Sequence, residues 1–316
     1  MPIPGRKGEA PSSFQTSPPP LSSGSADSVP GPIRGKVLVG TAGWTYKDWE
    51  GTVYPKPAPR GFDPLAFLLE YVDAIEVNST FYRPPSTSSA RSWAARAAAN
   101  PRCRLTVKLW RGFSHERRGI TKKDVTLFRK GIEPLLEGGL FGCLLMQFPW
   151  SFKNTEENRV WLNTLFKAFE GLPRAVEIRH ASWNQPALLR WLADKDIGFV
   201  NIDQPVIGQS MGRTAHASGP VGYVRMHGRN VGDWFREDAG RDARYNYLYS
   251  REEIEPWLSA IRRIAGGAPE TYVILNNHFR GQALVNAIQI RRLLTGAPGK
   301  APPDLLRHYP ELEETL

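Results

Sequence analysis

Five stretches of the 316-residue chain end an apolar, β-branched run with two polar residues separated by one position. Successive side chains of a strand point to opposite faces, so the two polar side chains of each pair share a face. If the runs are parallel strands, their carboxyl ends bring these groups to one space, where they could bind charged ligands and move protons. The pairs are Glu76 and Asn78, Thr106 and Lys108, Glu177 and Arg179, Asn201 and Asp203, and Arg225 and His227.

Proton transfer next to a carbonyl group is the chemistry that this set of side chains predicts. Glu177 or Glu76 would be the general base, and His227 would be a general acid or electrophile. Lys108 would stabilise an oxyanion or form a Schiff base. These four residues form the predicted catalytic set.

A set of internal ion pairs is the structural alternative. Glu76 and Lys108 follow neighbouring predicted strands, as do Asp203 and Arg225, so each pair could neutralise itself. Burying many charges is costly even when they are paired, and Val or Leu would serve stability as well. Taken together, these residues therefore favour a functional site over a set of internal ion pairs.

The segment from Lys108 to Lys130 predicts the sign of the ligand's charge. It carries eight Lys or Arg against two acidic residues, and this excess of six is more than half of the chain's formal charge of +10. A field of this sign attracts phosphate, carboxylate or nucleic acid. We expect a small anionic substrate, with nucleic-acid binding or endonuclease-like cleavage as the alternative. The residues of this loop that would contact the substrate, together with Arg225, are Arg111, His115, Arg117 and Arg118.

Neither a nucleotide cofactor nor a metal is favoured by the motifs. The GTAGW segment after the first predicted strand does not match GxGxxG, which nucleotide-binding turns require. The three carboxylates of the polar pairs are balanced by three cations, whereas a divalent metal needs a net negative oxygen shell or several histidines. A site formed by His180, His227 and His278 is the less favoured alternative.

Eight strand-like runs alternate with helix-like segments and would position these groups. Over about 260 residues this pattern predicts a single α/β domain, a (β/α)8 barrel whose active site lies at the carboxyl ends of its strands. An open doubly wound sheet is the rival. The sixth unit is irregular, because residues 204–220 show no amphipathic period. The runs centre near Leu38, Ile75, Thr106, Leu144, Val176, Val200, Val224 and Ile274.

The barrel is predicted to span residues 36–296, followed by a C-terminal extension at 297–316. Residues 1–35 contain eight Pro, seven Ser and five Gly, a composition that predicts a disordered tail rather than a secretory signal. No apolar run reaches the roughly 18 residues of a membrane helix. The two cysteines have no CxxC spacing, which indicates reduced thiols. We therefore expect a soluble, cytoplasmic protein with no membrane partner.

Seven segments, in this order and spacing, carry a resemblance: GTAGWTYKDWEGTVYP, IEVNSTFYRPP, VKLWRGFSHERR, LMQFPWSF, VEIRHASW, YVRMHGR and ILNNH. Together they resemble the YecE-like family, domain of unknown function 72, from about Val37 to Leu294. The resemblance implies a TIM-type barrel and implies no established reaction. Its motif positions complete the predicted substrate-binding set with Trp44, Asn78, Tyr82, Gln147, Arg179, His180, Asp203, Asn276 and Asn277.

Overall fold

Eight parallel strands close into a barrel in the computed structural model, which describes residues 35–234, 236 and 243–316. Each strand pairs with the next one in the chain, and the last pairs with the first. The predicted (β/α)8 barrel is therefore confirmed. Apart from Gly35, the predicted disordered tail lies outside the described residues. The strands are β1 Lys36–Ala42, β2 Ala74–Val77, β3 Arg104–Lys108, β4 Phe141–Gln147, β5 Arg174–Glu177, β6 Ile197–Asp203, β7 Val221–Met226 and β8 Glu270–Leu275.

Helices connect the strands and pack on their outer faces. Asp63 begins the first helix and accepts a hydrogen bond from Ala66 N at 2.9 Å. Ser250 and Glu253 form a reciprocal capping box. These caps satisfy backbone N–H groups that the first helical turn leaves without partners. The helices are α1 Pro64–Leu68, α2 Ser79–Tyr82, α3 Thr87–Ala97, α4 Lys122–Glu137, α5 Glu156–Ala168, α6 Pro186–Ala193, α7 Val231–Trp234, α8 Arg251–Gly266, α9 Gln282–Thr295 and α10 Pro303–His308.

The strand register decides which side chains enter the barrel interior. Paired residues of parallel strands share a face, so Glu76 shares its face with Ala42 of β1 and Thr106 of β3. Thr106 Oγ1 also lies 2.9 Å from Tyr223 Oη of β7, on the other side of the barrel. This contact identifies the shared face as the inward one. The polar pairs at the ends of β2, β3, β5 and β7 therefore begin inside the barrel.

Tyrosine side chains fill the interior towards the amino ends of the strands. The rings of Tyr223 and Tyr272 lie 5.8 Å apart, and both are fully buried. A Cβ atom at Gly142 would lie 2.8 Å from Tyr272 Oη, so the glycine in β4 leaves the space that this ring needs. Because this half of the barrel is packed, the polar interior groups are concentrated towards the carboxyl ends.

Strand β6 departs from the predicted pattern. Ile202 pairs with the inward residue Arg225, so Asn201 and Asp203 of β6 point outward. The prediction that this polar pair enters the barrel is therefore wrong. The reason lies in the segment that follows the strand.

Residues 204–220 form no helix, which confirms the predicted irregularity of the sixth unit. Asn201 supplies hydrogen bonds that a helix would have made internally. Its Oδ1 accepts from His216 N at 2.7 Å and from Thr214 Oγ1 at 2.9 Å, and its Nδ2 donates to His216 O at 2.9 Å. An outward polar side chain is thus required because buried backbone groups of a non-helical segment need partners.

The C-terminal segment 297–316 folds onto the barrel through α10 and the short helix Pro310–Thr315. Leu305 and Leu312 are fully buried there. Among the described residues, every helix is too short or too polar to cross a bilayer.

We predict that Asn201→Leu loosens residues 204–220 without opening the barrel. The substitution leaves partly buried backbone groups of His216 unpaired, and each such group costs up to about 1–3 kcal/mol. Denaturant titration should show this loss, and limited proteolysis should cut within 204–220 first. Unchanged stability together with an unchanged cleavage pattern would contradict this role of Asn201.

Candidate functional site

A cavity of about 550 Å³ opens at the carboxyl ends of the strands. The structure brings half of the predicted site residues to its lining, from seven different strands or the loops that follow them. Those predicted residues are Trp44, Asn78, Tyr82, Lys108, His115, Gln147, Arg179, Arg225 and Asn276. The other lining residues are Gly43, Thr45, Tyr46, Ser79, Phe81, Pro149, Trp150, Tyr245 and His278.

Below the cavity, one buried guanidinium joins two buried carboxylates. Arg225 Nη2 donates to Glu76 Oε1 at 2.6 Å, and Arg225 Nη1 donates to Glu177 Oε2 at 2.5 Å. Both carboxylates are completely buried. The second oxygen of Glu76 accepts from Tyr223 Oη at 2.9 Å. Glu76 is therefore fully engaged by protein donors, a geometry that does not favour its predicted role as general base.

The second oxygen of Glu177 holds another arginine. Arg179 Nε donates to Glu177 Oε1 at 2.7 Å, and the Arg179 side chain lines the cavity. Burial alone would raise the pKa of Glu177, but Arg225, Arg179 and the His227 hydrogen bond outweigh it and hold this pKa well below its usual range. A carboxylate in that state is a poor proton acceptor. The described geometry therefore does not favour the predicted role of Glu177 as general base.

His227 lies beneath the cavity wall rather than in it. The ring is completely buried, and Asn276 Nδ2 lies 2.9 Å from Nδ1. Nε2 lies 3.5 Å from Glu177 Oε1. Burial, followed by Arg179 and Arg225, lowers the pKa of His227 to about 3, so the ring is neutral. Instead of acting as the predicted acid, His227 orients Asn276, whose side chain does line the cavity.

Lys108 differs from the two arginines of the site. Its side chain is half-buried, lines the cavity and lies over the Phe81 ring, with Nζ 4.3 Å from the ring centroid. Within the part of the chain that the structure describes, no carboxylate forms an ion pair with Nζ, so the predicted pairing with Glu76 is not made. Burial and then Arg225 lower the pKa of Lys108 to about 8, against the opposing effect of Glu76 and Glu177.

His115 is the predicted histidine that reaches the cavity. The π-helical turn Gly112–Glu116 carries it there, and its ring packs edge-on against Phe81 at 4.9 Å. Nδ1 lies 2.9 Å from Ser114 Oγ. Burial, followed by the charge of Lys108, lowers the pKa of His115 to about 4. The ring is therefore neutral at pH 7.

Aromatic rings surround the cavity mouth. Tyr46 stacks on His278 with centroids 4.3 Å apart, and Tyr245 lies 4.9 Å from the same ring. Tyr82 and Trp150, also lining residues, are 62% and 39% exposed. Large exposed aromatic side chains at a polar cavity provide flat surfaces for a ring or a sugar.

Two predicted site residues at strand ends point away from the cavity. Asp203 forms a bidentate pair with Arg229, at 2.8 and 2.6 Å, and accepts from Trp257 Nε1 at 2.6 Å. Its predicted partner Arg225 is thus replaced by Arg229. Asn277 Nδ2 donates to Tyr247 O and to Asn286 Oδ1, both at 2.8 Å. These contacts fix the loop that precedes α8 to the helices α8 and α9, and this geometry favours structural roles for Asp203 and Asn277 over the predicted substrate-binding roles.

The predicted anion-binding arginines of the basic loop also lie outside the cavity lining. Arg111 and Arg118 share one carboxylate, with Nε atoms 2.8 and 3.7 Å from Glu116. Arg117 donates to Asn158 Oδ1 at 2.5 Å and lies over the Phe152 ring. Local partners compete for these side chains, and only His115 of the four predicted loop residues reaches the cavity.

The histidines of the metal alternative do not converge. His180 Nδ1 accepts from Ser182 N at 3.1 Å while its ring packs 5.2 Å from Trp150, so His180 supports the rim. His227 is buried under the floor and His278 stacks on Tyr46. Nowhere in residues 35–234, 236 and 243–316 do three His, Cys, Asp or Glu side chains cluster so that they could hold a metal ion.

Besides the lining residues named above that were not predicted, sequence reasoning missed two residues that hold the site's charged side chains in place. Tyr223 secures Glu76, and its spacing of two residues from Arg225 is a signal that could have found it. Arg229 pairs with Asp203 on the outer face of β6, outside the barrel interior. No local pattern predicts that partner, because it depends on the outward face of β6.

The fold and the cavity define a TIM-type barrel protein whose polar pocket lies at the carboxyl ends of its strands. A family model described as "Protein of unknown function DUF72" matches residues 38–308. The chain therefore belongs to the DUF72 family, which confirms the resemblance drawn from its motifs.

Three relatives are similar to this chain over most of their length. A DUF72 family protein from Thermotoga maritima MSB8 is 32% identical with a TM-score of 0.70, and the match covers 82% of this chain and 98% of that chain. A DUF72 family protein from Enterococcus faecalis V583 is 23% identical with a TM-score of 0.73, over 84% and 98%, and this likeness shows the fold alone. The UPF0759 protein YunF of Bacillus subtilis (strain 168) is 25% identical over 272 residues, 82% of this chain and 94% of the relative.

Replacing Arg225 with Met should destabilise the barrel severely. The substitution leaves Glu76 and Glu177 buried without their shared cation, and breaking a buried pair in this way costs about 3–5 kcal/mol. Denaturant titration measures the loss. Arg251→Met is the matched control, because its pair with Glu255 is largely exposed and contributes little. Equal effects of the two substitutions would contradict the importance of the buried network.

Stability should fall with acid partly through His227. Its folded pKa of about 3 lies below the unfolded value of about 6.5, so unfolding takes up a proton between these values and stability decreases as the pH falls. Uptake of one proton on unfolding lowers the free energy of unfolding by up to about 1.4 kcal/mol for each pH unit of acidification. Between pH 6 and 5, above the range of most carboxylates, His227→Gln should unfold with about one proton less uptake than wild type. Identical slopes would show that His227 is not held neutral.

Proposed function

We propose that the chain is an enzyme that binds a small anionic substrate in the barrel mouth and transfers a proton there. The observation that carries this proposal is the charge balance of the floor. Glu76 and Glu177 are matched by Arg225 and Arg179, while Lys108 lines the cavity without an ion-pair partner among the described residues. The formal charge of this group is therefore +1, in a partly desolvated pocket where charge acts strongly.

The substrate anion is assigned to Lys108 and Arg179. Both side chains line the cavity, and the Glu177 contact fixes the Arg179 guanidinium from below. A guanidinium held in this way keeps a fixed direction for carboxylate or phosphate oxygens. Gln147 and Asn276 provide neutral amide groups in the same lining, which suit the polar remainder of a small metabolite such as a phosphorylated sugar.

His115 is assigned the proton transfer. It is neutral at pH 7, since its pKa is lowered to about 4, and it lines the cavity beside the same Phe81 ring as Lys108. A neutral imidazole accepts a proton from bound substrate, and the neighbouring ammonium then stabilises negative charge that develops on the substrate. The volume of about 550 Å³ is within the usual range for sites that enclose small molecules.

Nucleic-acid binding is a second proposal, supported by the exposed rings of Tyr82 and Trp150 at the rim. Arg118, whose side chain is 85% exposed, adds positive charge in the same basic loop as His115. Stacking of bases on such rings, combined with a basic surface, is how single strands are bound without sequence preference.

Calorimetry with a panel of small anions tests the first proposal. Phosphate esters or carboxylates should bind the wild-type protein, and Lys108→Met should weaken that binding about tenfold or more, the effect of losing about 1.4 kcal/mol. Lys47→Met is the control, since Lys47 is an exposed lysine near the mouth and its loss changes net charge equally. For any anion that is turned over, His115→Asn should keep the binding and lose the turnover.

The same panel separates the two proposals. If no small anion binds, and an oligonucleotide binds with an affinity that falls steeply as salt increases, the nucleic-acid proposal replaces the first. Equal weakening by the Lys47 and Lys108 substitutions would also overturn the first proposal, because general charge rather than the cavity would then explain binding.

A further inference from the structure

We propose that Lys108 is a nucleophile that forms an imine with the carbonyl group of an anionic keto or aldehyde compound. This inference rests on the proposed function, because it uses the same cavity, and it narrows the substrate class from anions in general to anions that carry a carbonyl group.

The position of Lys108 is the first argument. It is the last residue of β3, and its side chain reaches the cavity lining. The other lining cations, Arg179 and Arg225, are fixed by Glu177 and Glu76. In the described ranges, the Lys108 ammonium has the Phe81 ring as its close contact, at 4.3 Å. An amine that no carboxylate holds is free to reach an atom of the ligand.

The surroundings of Lys108 supply the second argument, because they favour the neutral amine. The cations that face it are Arg225 of β7 and Arg179 after β5, and both lower its pKa. Glu76 and Glu177 oppose them, but these carboxylates are bonded to the same two arginines. With a pKa of about 8, about a tenth of the lysines would carry the neutral amine at pH 7, and the neutral amine is the nucleophilic form.

The reaction balances without any co-reactant. The lone pair of neutral Lys108 Nζ attacks the carbonyl carbon, and the carbonyl π electrons move to oxygen, which takes a proton. The carbinolamine then loses this oxygen as water while the nitrogen lone pair forms the C=N bond. The product is a protonated imine, and counted from the Lys108 ammonium, one ammonium ion and one carbonyl compound yield one iminium ion and one water. Neutral His115, in the same lining, takes the proton that the ammonium loses before the attack and returns it to the departing hydroxyl group, while the attacking nitrogen passes its own surplus proton to the carbonyl oxygen.

Imine formation gives the cations of the cavity floor a role in the reaction. An iminium ion withdraws electrons from the neighbouring carbon, which makes a proton there easier to remove. The carboxylate or phosphate of the substrate is held by Arg179, so the carbonyl group is kept near Nζ. Proton transfer by His115 and imine formation by Lys108 are then consecutive parts of one reaction.

Borohydride trapping tests this inference on the full-length protein. The probes are pyruvate, which carries a carboxylate, and glyceraldehyde 3-phosphate, which carries a phosphate. Reduction with sodium borohydride should fix one probe per chain, seen by intact mass, and peptide mapping should place it on Lys108. Lys108→Arg keeps the positive charge and should remove the adduct, whereas Lys47→Arg should leave it unchanged.

Lactate and glycerol 3-phosphate distinguish failure of this inference from failure of the proposed function, because they are matched anions without a carbonyl group. If they bind wild type and Lys108→Arg, but neither carbonyl probe is trapped on Lys108, the imine is wrong and anion binding stands. If none of the four compounds binds, both proposals fall. Adducts that persist at equal yield in Lys108→Arg would also overturn the imine, because other lysines would then explain them.

Discussion

The guanidinium of Arg225, held between Glu76 and Glu177, is the interaction on which the rest of the site depends. It joins β7 to β2 and β5 from the inside of the barrel. Burial opposes any isolated charge here, so each of the three side chains requires the others. In this arrangement the two carboxylates are counter-ions of the arginines rather than free bases. The proposed proton transfer is therefore assigned to the groups above them that line the cavity.

The side chains above the Arg225 network differ in charge because of their contacts with it. Arg179 is fixed by Glu177, whereas Lys108 lies near four charged groups and pairs with no carboxylate among the described residues. Burial, together with the same positive surroundings, keeps His115 and His227 neutral. A floor of two fixed cations, one amine of lowered pKa and a neutral imidazole suits an anionic ligand whose reaction includes a proton transfer.

Local patterns in the sequence predicted the barrel and most of the inward polar groups, because alternation along a strand is a local property. They failed where a partner comes from a distant element. The neighbouring strands suggested a pair between Glu76 and Lys108, but Arg225 reaches Glu76 through the interior. Asp203 faces outward because residues 204–220 need Asn201 on that side of β6. Arg111 and Arg118 pair with Glu116, and the net charge of the loop does not predict which acidic residue each arginine contacts.

The protonation of Lys108 is the quantity that tests the central claim most directly. Nuclear magnetic resonance titration of lysine labelled with carbon-13 at Cε, with the signal assigned through Lys108→Arg, measures it in the intact protein. The account predicts a pKa near 8 that rises when phosphate or a carboxylate anion saturates the mouth, since a bound anion stabilises the ammonium. An ordinary lysine pKa of about 10.4 that no anion shifts would contradict it.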